Sequence, residues 1–258
     1  RRRLYGFGSI YGKTLRDSRL AFIIMTGLIA GLMLAVGSAW GTAYSSPEAR
    51  REIALLLESV PAVIAGIAGP IVKPETMGGF LTYKYGPFFA FLAGLWSILA
   101  LSSTLAGEAR RGSLDFVAVA PLGKRRIALE KLAAHVTAMV LSMVFLVVAT
   151  LVASSVFGVA ELGDEIAVAG AIGFAAWVGL MGLVSGAVAF ALAPLIGRGS
   201  AAGVAGAVLL GSFFLGGYAP YVPELEPLAT VSWFHWTYGH VPLPGQCGWI
   251  SLVPVPLA

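Results

Sequence analysis

Five stretches free of Asp, Glu, Lys and Arg dominate this chain, at residues 20–40, 85–106, 132–160, 166–196 and 201–218. At 1.5 Å rise per residue the first alone spans about 31 Å as a helix, enough to cross the hydrocarbon core of a bilayer. A helix satisfies its own backbone hydrogen bonds in lipid, which irregular chain does not. The composition agrees, with 58% apolar residues, 12% charged residues and a mean hydropathy of +0.86. Soluble domains lie near 45–50% apolar and 25% charged. The expected fold class is therefore all-α, a polytopic membrane protein. A cleaved leader is the competing reading for the first run, but a leader's apolar region covers only about 7–15 residues and more runs follow. A single cysteine, Cys247, excludes an internal disulfide, and 33 glycines suit helices that pack backbone to backbone.

The connecting segments carry the charge. Arg1, Arg2 and Arg3 open the sequence without an initiator Met, so residues are expected to precede them. Residues 1–19 interleave Leu4, Tyr5, Phe7, Ile10, Tyr11 and Leu15 with Lys13, Arg16 and Arg19, the pattern of a basic amphipathic helix lying in an interface. Within it, GSIYGKT from Gly8 to Thr14 looks like a phosphate-binding loop but has three residues between its glycines where that motif needs four, and no strand precedes it. Gly27 and Gly31 form a GxxxG pair that offers a seat for a neighbouring helix, although chance explains it equally well. After the first span, Ser45, Ser46, Pro47 and Glu48 are helix-start chemistry and predict a short surface helix to about Leu57. Residues 60–72 are apolar but too short to cross, and are expected to dip into the outer interface or cover the bundle. Lys73, Glu75 and Lys84 then return the chain to water.

Thirteen of the seventeen Lys and Arg residues fall in the N-terminal arm, in residues 107–131 and at Arg198. The other four, Arg50, Arg51, Lys73 and Lys84, fall in the alternate loops. The positive-inside rule then places the N-terminus and residues 107–131 in the cytoplasm. The basic charge, with a pI near 9.3, is assigned to anionic lipid headgroups rather than to nucleic acid. Asp, Glu, Lys and Arg are absent from the complete spans, and the nearest candidate for a proton-carrying group is His135, near the cytoplasmic end of the third, whose readings are a packed or headgroup-contacting histidine or a proton relay. Ion-driven carriers keep such a group at mid-membrane, so energy for any transport is expected from outside the membrane.

Residues 107–131, GEARRGSLDFVAVAPLGKRRIALEK, form a charged island between the second and third runs. They read as a helix continuing into water, a short apolar helix, a proline turn and a basic re-entry helix. Leu114, Phe116, Val117 and Val119 offer an apolar face ringed by Arg110, Arg111, Lys124, Arg125 and Arg126. Two readings stand at this point, a docking face for a soluble partner and an ordinary positive-inside loop.

The residues Glu108, Arg110, Arg111, Gly112, Ser113, Leu114, Pro121, Leu122, Arg125, Arg126 and Lys131 resemble the pattern of ABC-2 type ABC transporter permeases. The N-terminal arm, GPIVKPETMGGFLTYKYGPF at residues 69–88 and PLATVSWFHWTYGHVPL at residues 227–243 are similar to the actinobacterial permeases described as polyketide-antibiotic (tetronasin-type) exporters. The resemblance implies a six-helix ABC-2 (type V exporter) half with an N-terminal interfacial helix, a cytoplasmic coupling helix and outer re-entrant helices. It makes residues 107–131 the loop that docks on an ATP-binding subunit, with Glu108, Arg110, Arg111, Gly112, Leu114, Phe116, Pro121, Arg125, Arg126 and Lys131 as candidate docking residues. Two copies of that subunit would carry ATP and Mg, so this chain itself is expected to be no enzyme and to bind no cofactor. Exporters of this type have two six-helix halves in one chain, which leaves the second half to chain continuation or to another subunit. A sixth apolar run begins at Trp249 and stops too early to cross.

Residues 220–244 hold Pro220, Pro223, Pro227, Pro242 and Pro244 with Trp233, Phe234, His235, Trp236 and Tyr238, and cannot be one straight span. The resemblance implies a re-entrant pair of short helices on the outer face. The aromatics Trp233, Phe234 and Trp236, with Phe213, Phe214 and Tyr218 from the preceding span, are candidates for an outer gate or substrate-facing surface; the alternative is an interfacial aromatic belt. His235, His240 and Cys247 lack a metal-ligand spacing, so no metal is expected. The functional expectation is the permease of an ATP-driven exporter of hydrophobic drugs or polyketide-like compounds in a cell membrane, with lipid and an apolar small molecule as its other contacts. A proton-coupled multidrug carrier and a non-transporting membrane scaffold are the alternatives.

Overall fold

The computed structural model describes residues 9–68, 70–103 and 124–252. In chain order the described helices are α1 (Ile10–Asp17), α2 (Arg19–Ala43), α3 (Pro47–Glu58), α4 (Ala62–Ala65), α5 (Met77–Ser102), α6 (Lys124–Phe157), α7 (Val168–Ile196), α8 (Arg198–Tyr218), α9 (Glu226–Ala229) and α10 (Trp233–Trp236). Short 3-10 turns lie at Ala160–Leu162, Pro223–Leu225 and Trp249–Leu252. Among the described residues there is no strand, only an isolated antiparallel bridge between Val241 and Gln246. The helices α2, α5, α6, α7 and α8 are long and apolar enough to cross a membrane. The sixth apolar run enters as the turn Trp249–Leu252, and its remainder, residues 253–258, lies outside the described residues.

The predicted start of α3 holds in detail. Ser46 adopts an extended backbone and its hydroxyl accepts from the N–H of Ala49 at 3.2 Å, with Pro47 in the first turn. Helices begin earlier than the uncharged runs do, because a helix terminates where its capping ends rather than where charge appears. The helix α5 starts at Met77 instead of Tyr85, since the Thr76 hydroxyl accepts from the N–H of Gly79 at 3.1 Å. Lys84 therefore lies within the helix; it is exposed, with its ammonium 5.4 Å from the centre of the Phe80 ring and 5.8 Å from that of Tyr85. Likewise α6 already covers Lys124–Lys131 ahead of Leu132, so the basic end of the island is helix, as the re-entry helix expected there. The glycine-rich GSIYGKT segment is helical from Ile10, capped by the Ser9 hydroxyl on the N–H of Gly12 at 3.1 Å, and it does not form a phosphate cradle.

At the centre α5 lies against α7 along most of its length and also meets α2, α6 and α8. Small residues set this approach. A methyl group placed on Gly186 would sit 2.6 Å from Cβ of Ser97, and one on Gly182 would sit 3.0 Å from Cβ of Ala93. In lipid, where apolar side chains gain nothing by leaving water, such close packing supplies much of the helix association. The second pairing, α2 on α6, uses Gly37 and Gly41, which face Ala153 and the carbonyl of Phe157. The GxxxG pair singled out in the sequence does not seat a helix: both Gly27 and Gly31 face open space.

The end of the bundle remote from α1 is clamped by a buried ion pair. Arg50 of α3 and Asp164, in the short link between α6 and α7, are 3% and 1% exposed. The guanidinium donates to both carboxylate oxygens, at 2.8 and 2.5 Å, and also to the carbonyls of Tyr44 at 2.8 Å and Leu162 at 3.1 Å. The same carboxylate accepts from the N–H of Met77 at 2.8 Å, from the N–H of Val159 at 2.9 Å and from the Trp40 indole at 3.3 and 3.4 Å. One side chain thus ties together the ends of α2, α5 and α6. The sequence grouped Asp164 with Glu161 and Glu165 in one acidic turn; the structure leaves those two exposed and turns Asp164 inward.

Candidate functional site

Cavities lie at opposite ends of the bundle. The larger, about 810 Å3, opens at the end that carries α1 and the junction of α7 and α8. Its walls are largely apolar, from Ala21, Ile24 and Met25 of α2, Leu92, Leu95, Trp96 and Leu99 of α5, and Ala138 of α6. The charged groups on it are Lys13, Asp17, Lys131 and Arg198. Its volume lies within the roughly 300–1,000 Å3 typical of drug-sized ligand sites.

The docking of α1 shapes this cavity. Glu130 of α6 accepts through one oxygen from the free N–H groups of Ile10 and Tyr11, at 2.9 and 3.1 Å, so a carboxylate sits at the positive end of the short helix. Its other oxygen accepts from Arg126 at 2.8 Å, and the Tyr11 hydroxyl donates to Thr137 at 3.0 Å. The amphipathic arm is thereby held on α6 by specific polar contacts.

His135 also lines this cavity, and its surroundings decide between its two readings in favour of packing. The ring is 7% exposed, with Nε2 2.8 Å from the Ser97 hydroxyl and its face edge-on to Trp96 at 5.2 Å. Among the described residues its hydrogen-bond partner is a hydroxyl with no carboxylate beside it, a fixed polar contact between α5 and α6 rather than a relay. Of the docking candidates, Arg125 is exposed, Arg126 pairs with Glu130, and Lys131 is 8% exposed on the cavity wall. Glu108, Arg110, Arg111, Gly112, Leu114, Phe116 and Pro121 lie outside the described residues.

The smaller cavity, about 40 Å3, lies at the other end between α5, α7, α8 and the segment after α8. It has room for water rather than for a bulky molecule. Two of the six aromatic candidates, Phe213 and Phe234, line it with their rings 5.6 Å apart and nearly perpendicular. The others serve elsewhere. Phe214 is exposed, Trp233 is buried in the core, the Tyr218 hydroxyl donates to the carbonyl of Val63 at 2.6 Å, and the Trp236 indole donates to that of Thr230 at 2.7 Å. The sequence reading missed Trp177, which lies in the middle of an uncharged run. Its indole donates to the Thr237 hydroxyl at 2.9 Å and its ring meets Phe234 edge-on at 6.5 Å, locking the aromatic segment onto α7.

The segment itself is two single helical turns, α9 and α10, the second capped by the Ser232 hydroxyl accepting from the N–H of His235 at 3.2 Å. Burial pushes the Tyr238 phenol up to about 12, helped by the neighbouring Tyr221. His240 is 3% exposed; its Nε2 donates to the carbonyl of Gly173 at 3.2 Å, and Nδ1 on the other side of the ring has no partner among the described residues. Among the described residues, His235, His240 and Cys247 are not gathered into a metal-binding group.

Comparison with protein-family models, with curated proteins and with solved structures finds no match for this chain.

Proposed function

We propose that this chain is the membrane-spanning component of an ATP-driven exporter, an ABC-2 type permease that moves hydrophobic compounds out of a cell with its N-terminus in the cytoplasm. The observation that carries the reading is one of placement. The charged island is tethered between α5 and α6, the same two helices that supply Trp96 and His135 to the wall of the 810 Å3 cavity. A push on that loop by a partner hydrolysing ATP would be delivered to the helices that shape a ligand-sized space. The sequence pattern of the island, Glu108 through Lys131, supplies the kind of partner.

The polar inventory of the spans supports an external energy source. The buried carboxylate of Asp164 is the group a proton-coupled carrier would use, yet both its oxygens are occupied by Arg50, by backbone N–H groups and by Trp40. In the permease reading the second half of the pathway comes from chain continuation or another subunit, and ATP and Mg stay on the partner.

The test is co-purification in mild detergent from the native membrane, with residues 112–126 intact or replaced by a flexible linker. An ATPase subunit that accompanies the intact chain and is lost with the linker supports the reading. A complementary variant, Glu108→Lys, is expected to abolish ATP-dependent export while the chain still inserts. Normal export by that variant, or export that survives ATP depletion and collapses with the proton gradient, would overturn it. Unchanged drug sensitivity on deletion would favour a scaffold.

A further inference from the structure

We infer that the small cavity between α5 and the aromatic segment after α8 binds ordered water, which donates hydrogen bonds to Nδ1 of His240 and to the backbone of α5 at its proline kink. The inference does not depend on the exporter reading.

Two acceptors from distant parts of the chain meet at this cavity. The first is His240, which lines it and is 3% exposed. Its Nε2 lies 3.2 Å from the carbonyl of Gly173, so that nitrogen carries the proton and Nδ1 of the neutral ring holds a lone pair. Nδ1 is buried and has no partner among the described residues, a costly state for an acceptor. The second acceptor follows from Pro87, which lies inside α5 and on the cavity wall. Proline has no N–H, so the carbonyl of Tyr83, one turn earlier on the same helix face, loses its usual helical donor. Tyr83 and Pro87 are both buried. In membrane helices, carbonyls freed by proline are satisfied again by Ser or Thr side chains and by ordered water.

The rest of the wall fixes the kind of ligand. Its side-chain donors are already committed. The Trp177 indole donates to Thr237, the Thr237 hydroxyl to the carbonyl of Trp233, the Thr82 hydroxyl to that of Gly78, and the Tyr238 hydroxyl is paired with Tyr221. Acceptors remain, and they call for a molecule that donates. No carboxylate lines the cavity among the described residues, so a cation would lack a counter-charge and a neutral donor fits better. The volume of about 40 Å3 exceeds the roughly 10–15 Å3 that one water needs and falls far below a drug-sized site. Joined through water, α5 can change its bend at Pro87 while the aromatic segment stays docked on α7.

The experiment uses the full chain in phosphatidylcholine nanodiscs with isotope-labelled histidine, at a pH where the imidazole is neutral. Solid-state NMR reads the ring tautomer and the transfer of magnetisation from water to the ring proton beside Nδ1, and His240→Gln assigns the His240 signals. The expected result is a ring protonated at Nε2 with clear transfer from water. Ala68→Leu extends a side chain into the cavity from its partly exposed rim and is expected to abolish that transfer. Pro87→Ala returns an N–H to α5 and is expected to reduce it. Tyr238→Phe removes an exchangeable hydroxyl from the wall and is expected to leave it unchanged. A ring protonated at Nδ1, or no transfer in the unaltered chain, would overturn the proposal. So would transfer that survives Ala68→Leu, is untouched by Pro87→Ala or vanishes in Tyr238→Phe, the last by assigning it to hydroxyl exchange. None of these outcomes bears on the co-purification test, which reads the opposite end of the bundle.

Discussion

Removing the charge of Asp164 while keeping its shape tests whether the clamp between Arg50 and Asp164 is a dry, mutually dependent pair. In Asp164→Asn the side-chain amide replaces one oxygen. Whichever way it turns, its NH2 meets donors: the Met77 N–H and one guanidinium nitrogen on one side, the Val159 N–H and the other guanidinium nitrogen on the opposite side. Arg50, 3% exposed, is left as a buried cation without its counter-charge. Breaking one partner of such a pair costs about 3–5 kcal/mol. For a chain of this size that corresponds to a fall of roughly 6–20 °C in unfolding midpoint. The assay is thermal unfolding in mild detergent followed by tryptophan emission, to which Trp40 contributes from its place against the carboxylate. The variant Arg50→Met/Asp164→Asn removes both charges and should cost less than the sum of the single changes, by about 1 kcal/mol or more. A fall of under about 2 °C for Asp164→Asn, or an additive cycle, would refute the reasoning and show that water reaches the pair.

Three further outcomes follow from the geometry. Gly41→Ala should destabilise by about 1–3 kcal/mol because its methyl group would collide with the carbonyl of Phe157, whereas Gly31→Ala, facing open space, should be neutral or slightly stabilising; comparison of their melting midpoints decides, and equal effects would contradict the packing described. Glu130→Ala removes the acceptor for the first N–H groups of α1 and should speed trypsin cleavage after Lys13 and Arg16 without altering insertion; an unchanged cleavage rate would mean that the arm is held by other contacts. The Tyr238 phenol, raised to about 12, should be missing from the tyrosine ionisation seen near pH 10 in an absorbance titration, and Tyr238→Phe should leave that step unchanged in height. Because the folded value is raised, this group's stabilising contribution is present below about pH 10 and is lost as pH rises through about 12.

The boundary between what was legible in the sequence and what was not follows the range of each interaction. The five apolar helices, the cap at Ser46 and the impossibility of a straight helix through the prolines after Ala219 depend on neighbours within a few residues, and the sequence alone determined them. The start of α5 was misplaced because charge marks where a helix meets water, while the Thr76 cap marks where the helix begins. The candidate site was only partly legible. Phe213 and Phe234, named from the chain as outer-gate candidates, line the smaller cavity, whereas Lys131, named as a docking residue, lies on the wall of the larger one; Trp177 was hidden in an oily run, and the cavity at the α1 end is assembled from five helices.

Which glycines seat a helix and which carboxylate turns inward were decided only by tertiary structure. Gly27 with Gly31 and Gly37 with Gly41 carry the same spacing in α2, yet only the second pair faces α6. Glu161, Asp164 and Glu165 look alike in one acidic turn, yet only Asp164 comes within reach of Arg50, far away in the chain. Local chemistry sets which segments are helices in lipid. Partner choice between helices is a matter of ångström-scale differences in fit and of desolvated charge, and those exist only once distant segments share one volume.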